Sequence, residues 1–313
     1  MSSEIVIKFL VAAVLAGTPF LFGTVGEILS EKVGHLNLGV EGMMSIGACA
    51  GFMVGYQTDN FVAALLAAAV AGMLSALIYG VLTVTFMANQ NVTGLTLTIF
   101  GVGLANFIGV FMLEKSENGT LKLPDAVTAQ MRNIHIPGLS DMPVVGELLF
   151  SYNPFVYLGI IIAIVASFYL YKTQVGLNVQ AIGENPGAAD AAGIEVTKWR
   201  YINILLSGAI CGIGGAYCSM IINGGVWLRD SVGGLGWISV ALVINGIYGS
   251  FIFGALRVLK YYVPKNTYAI PTAFFDALPF IITALVLVIA SMRKNKGAHI
   301  PAHLGENYFR EER

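Results

Sequence analysis

FVAALLAAAVAGMLSALIYGVLTVTFMA, residues 61–88, contains no charged side chain. A helix that crosses a bilayer needs about 20 mostly apolar residues, each rising about 1.5 Å. This stretch exceeds that length and reads as one span that tilts or extends past the hydrocarbon. Working outward, apolar segments of similar size lie at residues 5–22, 36–56, 93–113, 154–171, 201–222, 235–256 and 272–292. The expected fold is therefore all-α: a polytopic transmembrane helical bundle of roughly eight membrane segments, filling residues 1–296 as one domain.

Composition agrees. Of 313 residues, 56% are hydrophobic and 11% charged, with a mean hydropathy of +0.76; a soluble domain carries about 25% charged residues. The net charge of −1 and the lack of a basic block argue against nucleic acid as a partner. Cys49, Cys211 and Cys218 lie inside apolar segments and read as small buried side chains, not a disulfide or metal framework. Residues 5–22 follow Glu4 and are not followed by an A-x-A-like cleavage site, so they read as a retained first span.

Lysine and arginine near span ends set orientation. The segment 172–200 carries Lys172, Lys198 and Arg200, and the stretch after the last span carries Arg293, Lys294 and Lys296, so both are expected in the cytoplasm. That parity fails if residues 235–256 cross only once. A break near Asn245 and Gly246, making 233–262 a re-entrant pair or two short half-helices, repairs it. The polar loop 114–153 then lies outside as a cap, and 297–313 forms a short cytoplasmic tail.

Small residues recur four apart in three spans: Gly47, Gly51 and Gly55; Gly101, Ala105 and Gly109; Gly208, Gly212 and Ala216. Each set makes a flat stripe on which another backbone can approach closely, which is a packing feature and no sign of transport.

Residues 183–194, GENPGAADAAGI, carry the strongest local code. Asn185 can serve as N-cap, Pro186 suits the first helical position and Gly193 suits the end, predicting a helix of about two turns. Its small apolar surface, flanked by Glu184 and Asp190, suits docking into a partner's groove or a simple connector. In GHLNLGVEGMM, residues 34–44, Asn37 and Glu41 share a helix face at the edge of a span. Glu41 there is a pathway candidate or an interfacial residue that caps a helix or pairs with His35 or Lys32. Asp276, near Pro279, invites the same comparison. In NQNVTGLTLT, residues 89–98, Thr93, Thr96 and Thr98 offer hydroxyls to an uncharged solute or bond their own backbone. No phosphate loop, metal-spaced histidine pair or G-x-S-x-G elbow is present, so an enzyme is not expected and no cofactor is implied. An ion-coupled carrier using Glu41 or Asp276 and a structural membrane protein remain open on the residues alone.

Three pieces carry a resemblance: GEILSEKVGHLNLGVEGMMSIGA at 26–48, GLNVQAIGENPGAADAAGIEVTKWRYINILLSGAICGIGGA at 176–216, and GWISVALVING followed by ALPFIITALVLV. The chain resembles membrane permeases of ATP-binding-cassette importers, in the branch that serves branched-chain amino acids, ribose and nucleosides, and within it the nucleoside permeases linked to basic-membrane-protein-type lipoproteins. The resemblance implies a multi-pass protein of a prokaryotic cytoplasmic membrane, importing a small polar solute: a nucleoside, or alternatively a simple sugar or branched-chain amino acid. It implies ATPase coupling through Gly183, Glu184, Asn185, Pro186, Asp190, Gly193 and Ile194. It also implies an ATP-binding subunit, a second permease subunit and an extracytoplasmic solute-binding lipoprotein as partners, with lipid around the bundle. A nucleoside pathway would use Asn37, Glu41, Asn91, Thr96 and Asn106, with Trp237 stacking on the base. IYGSFIFGAL after Gly246 and NQNVTGL depart from the usual pattern near that pathway.

Overall fold

The computed structural model describes residues 3–116, 119–243, 246–263, 272–292 and 301–309. The main helices are α1 Ser3–Lys32, α2 Val40–Thr58, α3 Phe61–Gly80 and α4 Gln90–Glu114. The short α5 Asp125–Gln130 and α6 Val145–Leu149 follow, then α7 Pro154–Lys172, α8 Gln174–Glu184, α9 Pro186–Ala191 and α10 Val196–Tyr217. The chain ends with α11 Leu235–Leu242, α12 Gly246–Tyr262 and α13 Thr272–Met292. Single π-helical turns extend α3 (Val81–Thr85) and α10 (Cys218–Ile222).

Local chemistry explains several starts. The Asn60 side chain accepts from Val62 N and Ala63 N, Asn89 from Val92 N, Asn153 from Val156 N, and Thr173 from Gly176 N. Each satisfies donors that a helix leaves unpaired at its first turn.

Five helical stretches are each long and apolar enough to cross a membrane: Glu4–Lys32, Phe61–Thr85, Gln90–Glu114, Pro154–Lys172 and Val196–Ile222. The expected count of eight is thus not reached by length and composition among the described residues. Three boundaries also move. The first helix runs on past Phe22 to Lys32, because Glu27 and Ser30 turn inward and are buried instead of ending it. The second begins only at Val40, after a non-helical stretch at residues 33–39. The expected span 235–256 is two helices, α11 and α12; Asn245, named as the break, lies outside the described residues. Of the other expectations, Arg293, Lys294, Lys296, residues 297–300 and residues 310–313 also lie outside them.

The glycine stripes do the packing. A Cβ on Gly47 would strike the Gly212 backbone, one on Gly72 the Gly208 carbonyl, and one on Gly101 the Gly42 backbone. Backbones thus touch where helices α2, α3, α4 and α10 cross, the close approach that small residues permit in a membrane. Of the five stretches, the one containing α10 is the most enclosed. Helix α12 runs antiparallel to α1: Gly254 meets Ala13 and Gly17, and the Tyr262 hydroxyl donates to the Lys8 carbonyl at 3.0 Å.

The two ends of the bundle differ. At one, residues 119–153 meet the 223–227 turn, where Leu123 N donates to the Gly225 carbonyl and Trp227 N to the Leu121 carbonyl. The other gathers the α1–α2 stretch, the α3–α4 turn, α8, α9 and residues 301–309.

Candidate functional site

Helix α9 matches its local code. The Asn185 side chain accepts from Ala188 N at 2.9 Å, Pro186 occupies the first position, and Gly193 ends the helix at φ +83°. Ile194 N closes the turn onto the Ala189 carbonyl at 3.0 Å. Pro186 and Ala189 are buried against the bundle, whereas Glu184, Asn185, Ala188, Ala191, Ala192 and Gly193 are exposed. The result is a small, smooth, outward surface with a carboxylate at its edge. Helix α8, which carries α9, has no apolar run long enough to have announced it.

The C-terminal segment ties this surface down, a contact absent from the sequence reading. His303 N donates to the Gly183 carbonyl (3.0 Å), Gly305 N to the Gly34 carbonyl (3.1 Å) and Ala302 N to the Glu184 carboxylate (3.3 Å). The Asn307 amide donates to the Met87 carbonyl (2.5 Å) and the Tyr308 hydroxyl to Asp190 (2.8 Å). Four separate elements are joined by one short strap.

Glu41 sits deeper, 5% exposed in the first turn of α2. Its two carboxylate oxygens accept from Gly234 N (2.8 Å) and Gly236 N (2.6 Å), across the start of α11. It therefore caps a helix, as one of the sequence readings held, but the helix is α11 and neither His35 nor Lys32 is its partner. A carboxylate suits that place, because helix N-termini present unpaired donors.

The other pathway candidates scatter. Asn37 is buried; its side chain accepts from Gly39 N (2.9 Å) and donates to Met43 Sδ (3.4 Å), and its N–H donates to Glu27 (2.8 Å). Asn91 and Thr96 lie exposed on α4, with the Thr96 hydroxyl on the Val92 carbonyl at 2.8 Å. Asn106 forms a reciprocal pair with Asp230: its amide donates to the carboxylate (2.7 Å) and its carbonyl accepts from Asp230 N (3.0 Å). Trp237 is exposed on α11, one residue beyond Gly236. Glu41, Trp237 and the Asp230–Asn106 pair thus gather around the start of α11, while Asn37 is occupied within the chain and Asn91 and Thr96 face outward. The side chain of Asp276 lies outside the described residues.

Sequence reasoning gave no site role to Glu27, Arg200 or Asp230, and weighed His35 only as a partner for Glu41. His35, in the stretch between α1 and α2, is fully enclosed; burial first, and the positive charge of Arg200 second, hold its ring well below the ordinary histidine range. No group of three potential metal ligands occurs among the described residues.

The family model described as branched-chain amino acid transport system / permease component matches residues 9–289. TsgC13 of Haloferax volcanii, assigned provisionally as a glucose ABC transporter permease, is 31% identical over 96% of this chain and 97% of its own length. NupC of Lactococcus lactis, a nucleoside ABC transporter permease, is 32% identical over 87% of this chain and 88% of its own. NupQ of Bacillus subtilis, a guanosine ABC transporter permease, is 32% identical over 88% and 89%. With the family model covering nearly all of a many-helix membrane bundle, the chain belongs to this family and is the multi-pass permease subunit of an ATP-binding-cassette transporter.

Proposed function

We propose that this permease imports a nucleoside, driven by ATP hydrolysis in a separate subunit that docks on α9. The observation that carries the coupling half is the exposed alanine surface of α9, capped at both ends and bordered by Glu184. The substrate half is supported by NupC and NupQ, and the similar identity of TsgC13 supports a hexose as the second reading.

In this reading residues 172–200 form the cytoplasmic coupling segment, and an extracytoplasmic lipoprotein delivers solute to the opposite end, built partly from residues 114–153. One bundle supplies half a passage, so a second permease subunit, identical or homologous, completes it. Asn91, Thr96, Asn106 and Trp237 contact the solute, hydrogen bonding its polar edges and stacking on its base, while Asn37 and Glu41 shape the wall. Nucleotide binding in the partner favours one orientation of the bundle only through its differential affinity for the two states.

Uptake of labelled nucleosides, glucose and branched-chain amino acids, measured with and without the chain, tests the substrate. Glu184→Arg and Gly193→Trp test the docking; no atom within 4 Å would block a Cβ at position 193, but its φ of +83° strains any L side chain, so the thermal midpoint of the second variant is measured beside its uptake. Loss of nucleoside uptake in the deletion and in both variants is expected. Loss of hexose uptake alone moves the substrate to the second reading. Normal transport by both variants overturns docking on α9.

A further inference from the structure

Helix α10 starts without a side-chain cap. Trp199 N is the first to reach a backbone acceptor, the Glu195 carbonyl at 3.2 Å, which leaves the earlier first-turn N–H groups for another partner. Val196, Thr197 and Lys198 border a cavity of about 610 Å3 between α9, α10 and the π-helical turn after α3, lined also by Tyr308.

Arg200 lines the same cavity and is 3% exposed. Its Nε and Nη2 meet no hydrogen-bond acceptor among the described residues. A guanidinium does not shed its proton, and a buried charge left without a counter-charge is strongly disfavoured. The carboxylates that line the cavity are engaged: Asp190 accepts from Tyr308, and Glu195 pairs with Lys198 at 2.9 Å. Beside Arg200, both ring nitrogens of buried His35 also lack partners.

We propose that this cavity is a binding site for a phosphate-class anion, independent of the solute pathway. The Arg200 guanidinium and the first-turn N–H groups of α10 are the donors, and the Thr197 hydroxyl and Lys198 stand at the mouth. A phosphate has enough oxygens to accept from a guanidinium and a helix start together. The phosphate belongs either to an anionic lipid headgroup or to a soluble phosphate compound. Bound there, it braces the end of α9 against the start of α10.

Purified full-length permease in a neutral detergent, titrated with inorganic phosphate and separately with dihexanoyl phosphatidic acid, tests this by isothermal calorimetry. Saturable binding of at least the lipid is expected, weakened tenfold or more by Arg200→Gln and by Thr197→Glu. Inorganic phosphate binding as well indicates the soluble source; lipid binding alone indicates the headgroup. Thr197→Glu guards against misfolding, since residue 197 is exposed and a glutamate suits a first helical turn; an unchanged thermal midpoint with lost binding separates the site from the fold. Absence of saturable binding by both ligands overturns the proposal, as does binding that Thr197→Glu leaves unchanged.

Discussion

Glu41→Gln separates a structural carboxylate from a proton carrier. The native carboxylate holds Gly234 N at 2.8 Å and Gly236 N at 2.6 Å, both close and charge-assisted. Glutamine keeps one oxygen and replaces the other with an amide donor that faces a second donor. Hydrogen bonds to a charged group contribute about 1.5–3 kcal/mol each, and a buried donor without an acceptor costs about 1–3 kcal/mol. One bond weakened and one lost gives a destabilisation of about 2–4 kcal/mol. At about 2 °C per kcal/mol for a chain of this size, the midpoint falls by roughly 4–8 °C. A thermal scan in detergent reads this, with uptake measured beside it at a temperature where the variant is folded. Because a Cβ at Gly236 would sit 2.5 Å from the Glu41 Cα, the junction is too tight to repack easily around glutamine. A variant with the native midpoint and abolished uptake would refute the capping argument and point to proton coupling through Glu41.

Gly212→Val forces a branched side chain into the Ala68 carbonyl at the α3–α10 crossing, and overpacking of this kind costs about 1–3 kcal/mol or more; size-exclusion profiles should show aggregation, and a monodisperse, native-midpoint variant would contradict the backbone contact. Tyr308→Phe removes the hydroxyl that holds Asp190, so hydrogen exchange in residues 183–194 should quicken several-fold while the transmembrane core stays protected; unchanged exchange would mean the strap does not restrain α9. His35 supplies a pH test. Its folded ring is held below the histidine range, so below about pH 6.5 the unfolded chain binds a proton that the folded chain refuses, and stability falls as pH falls, by up to about 1.4 kcal/mol per unit until the folded ring also titrates. Comparing midpoints at pH 7.5 and 5.5, His35→Gln should lose less than the parent; an equal loss would assign the acid sensitivity elsewhere.

The spans were legible because an apolar run of twenty residues has few alternatives, and α9 was legible because Asn-Pro at one end and Gly at the other encode a helix locally. What escaped depended on groups far apart in the chain. Glu27 fell outside the expected first span, residues 5–22; in the fold it lies inside the bundle and accepts from Asn37 N. The break near position 245 was inferred from charge parity, but the role of Glu41 at the start of α11 joins residues almost two hundred positions apart and has no local signature. The pairing of Asn106, a candidate solute ligand, with Asp230 spans 124 positions and has no local signature either.

The two ends of this distance scale divide the labour of the molecule. Where α2, α3, α4 and α10 cross inside the bundle, the closest contacts are glycine, alanine and backbone, surfaces that let one helix slide or rock against another as a body. Around α9 the contacts are directional: five hydrogen bonds from residues 302–308 reach Gly183, Glu184, Asp190, Gly34 and Met87. A load applied to α9 by a docked partner is therefore shared with the α1–α2 stretch and the α3–α4 turn instead of bending the short helix alone. In the proposed cycle that arrangement is what coupling requires, a stiff handle on a bundle whose interior surfaces can move.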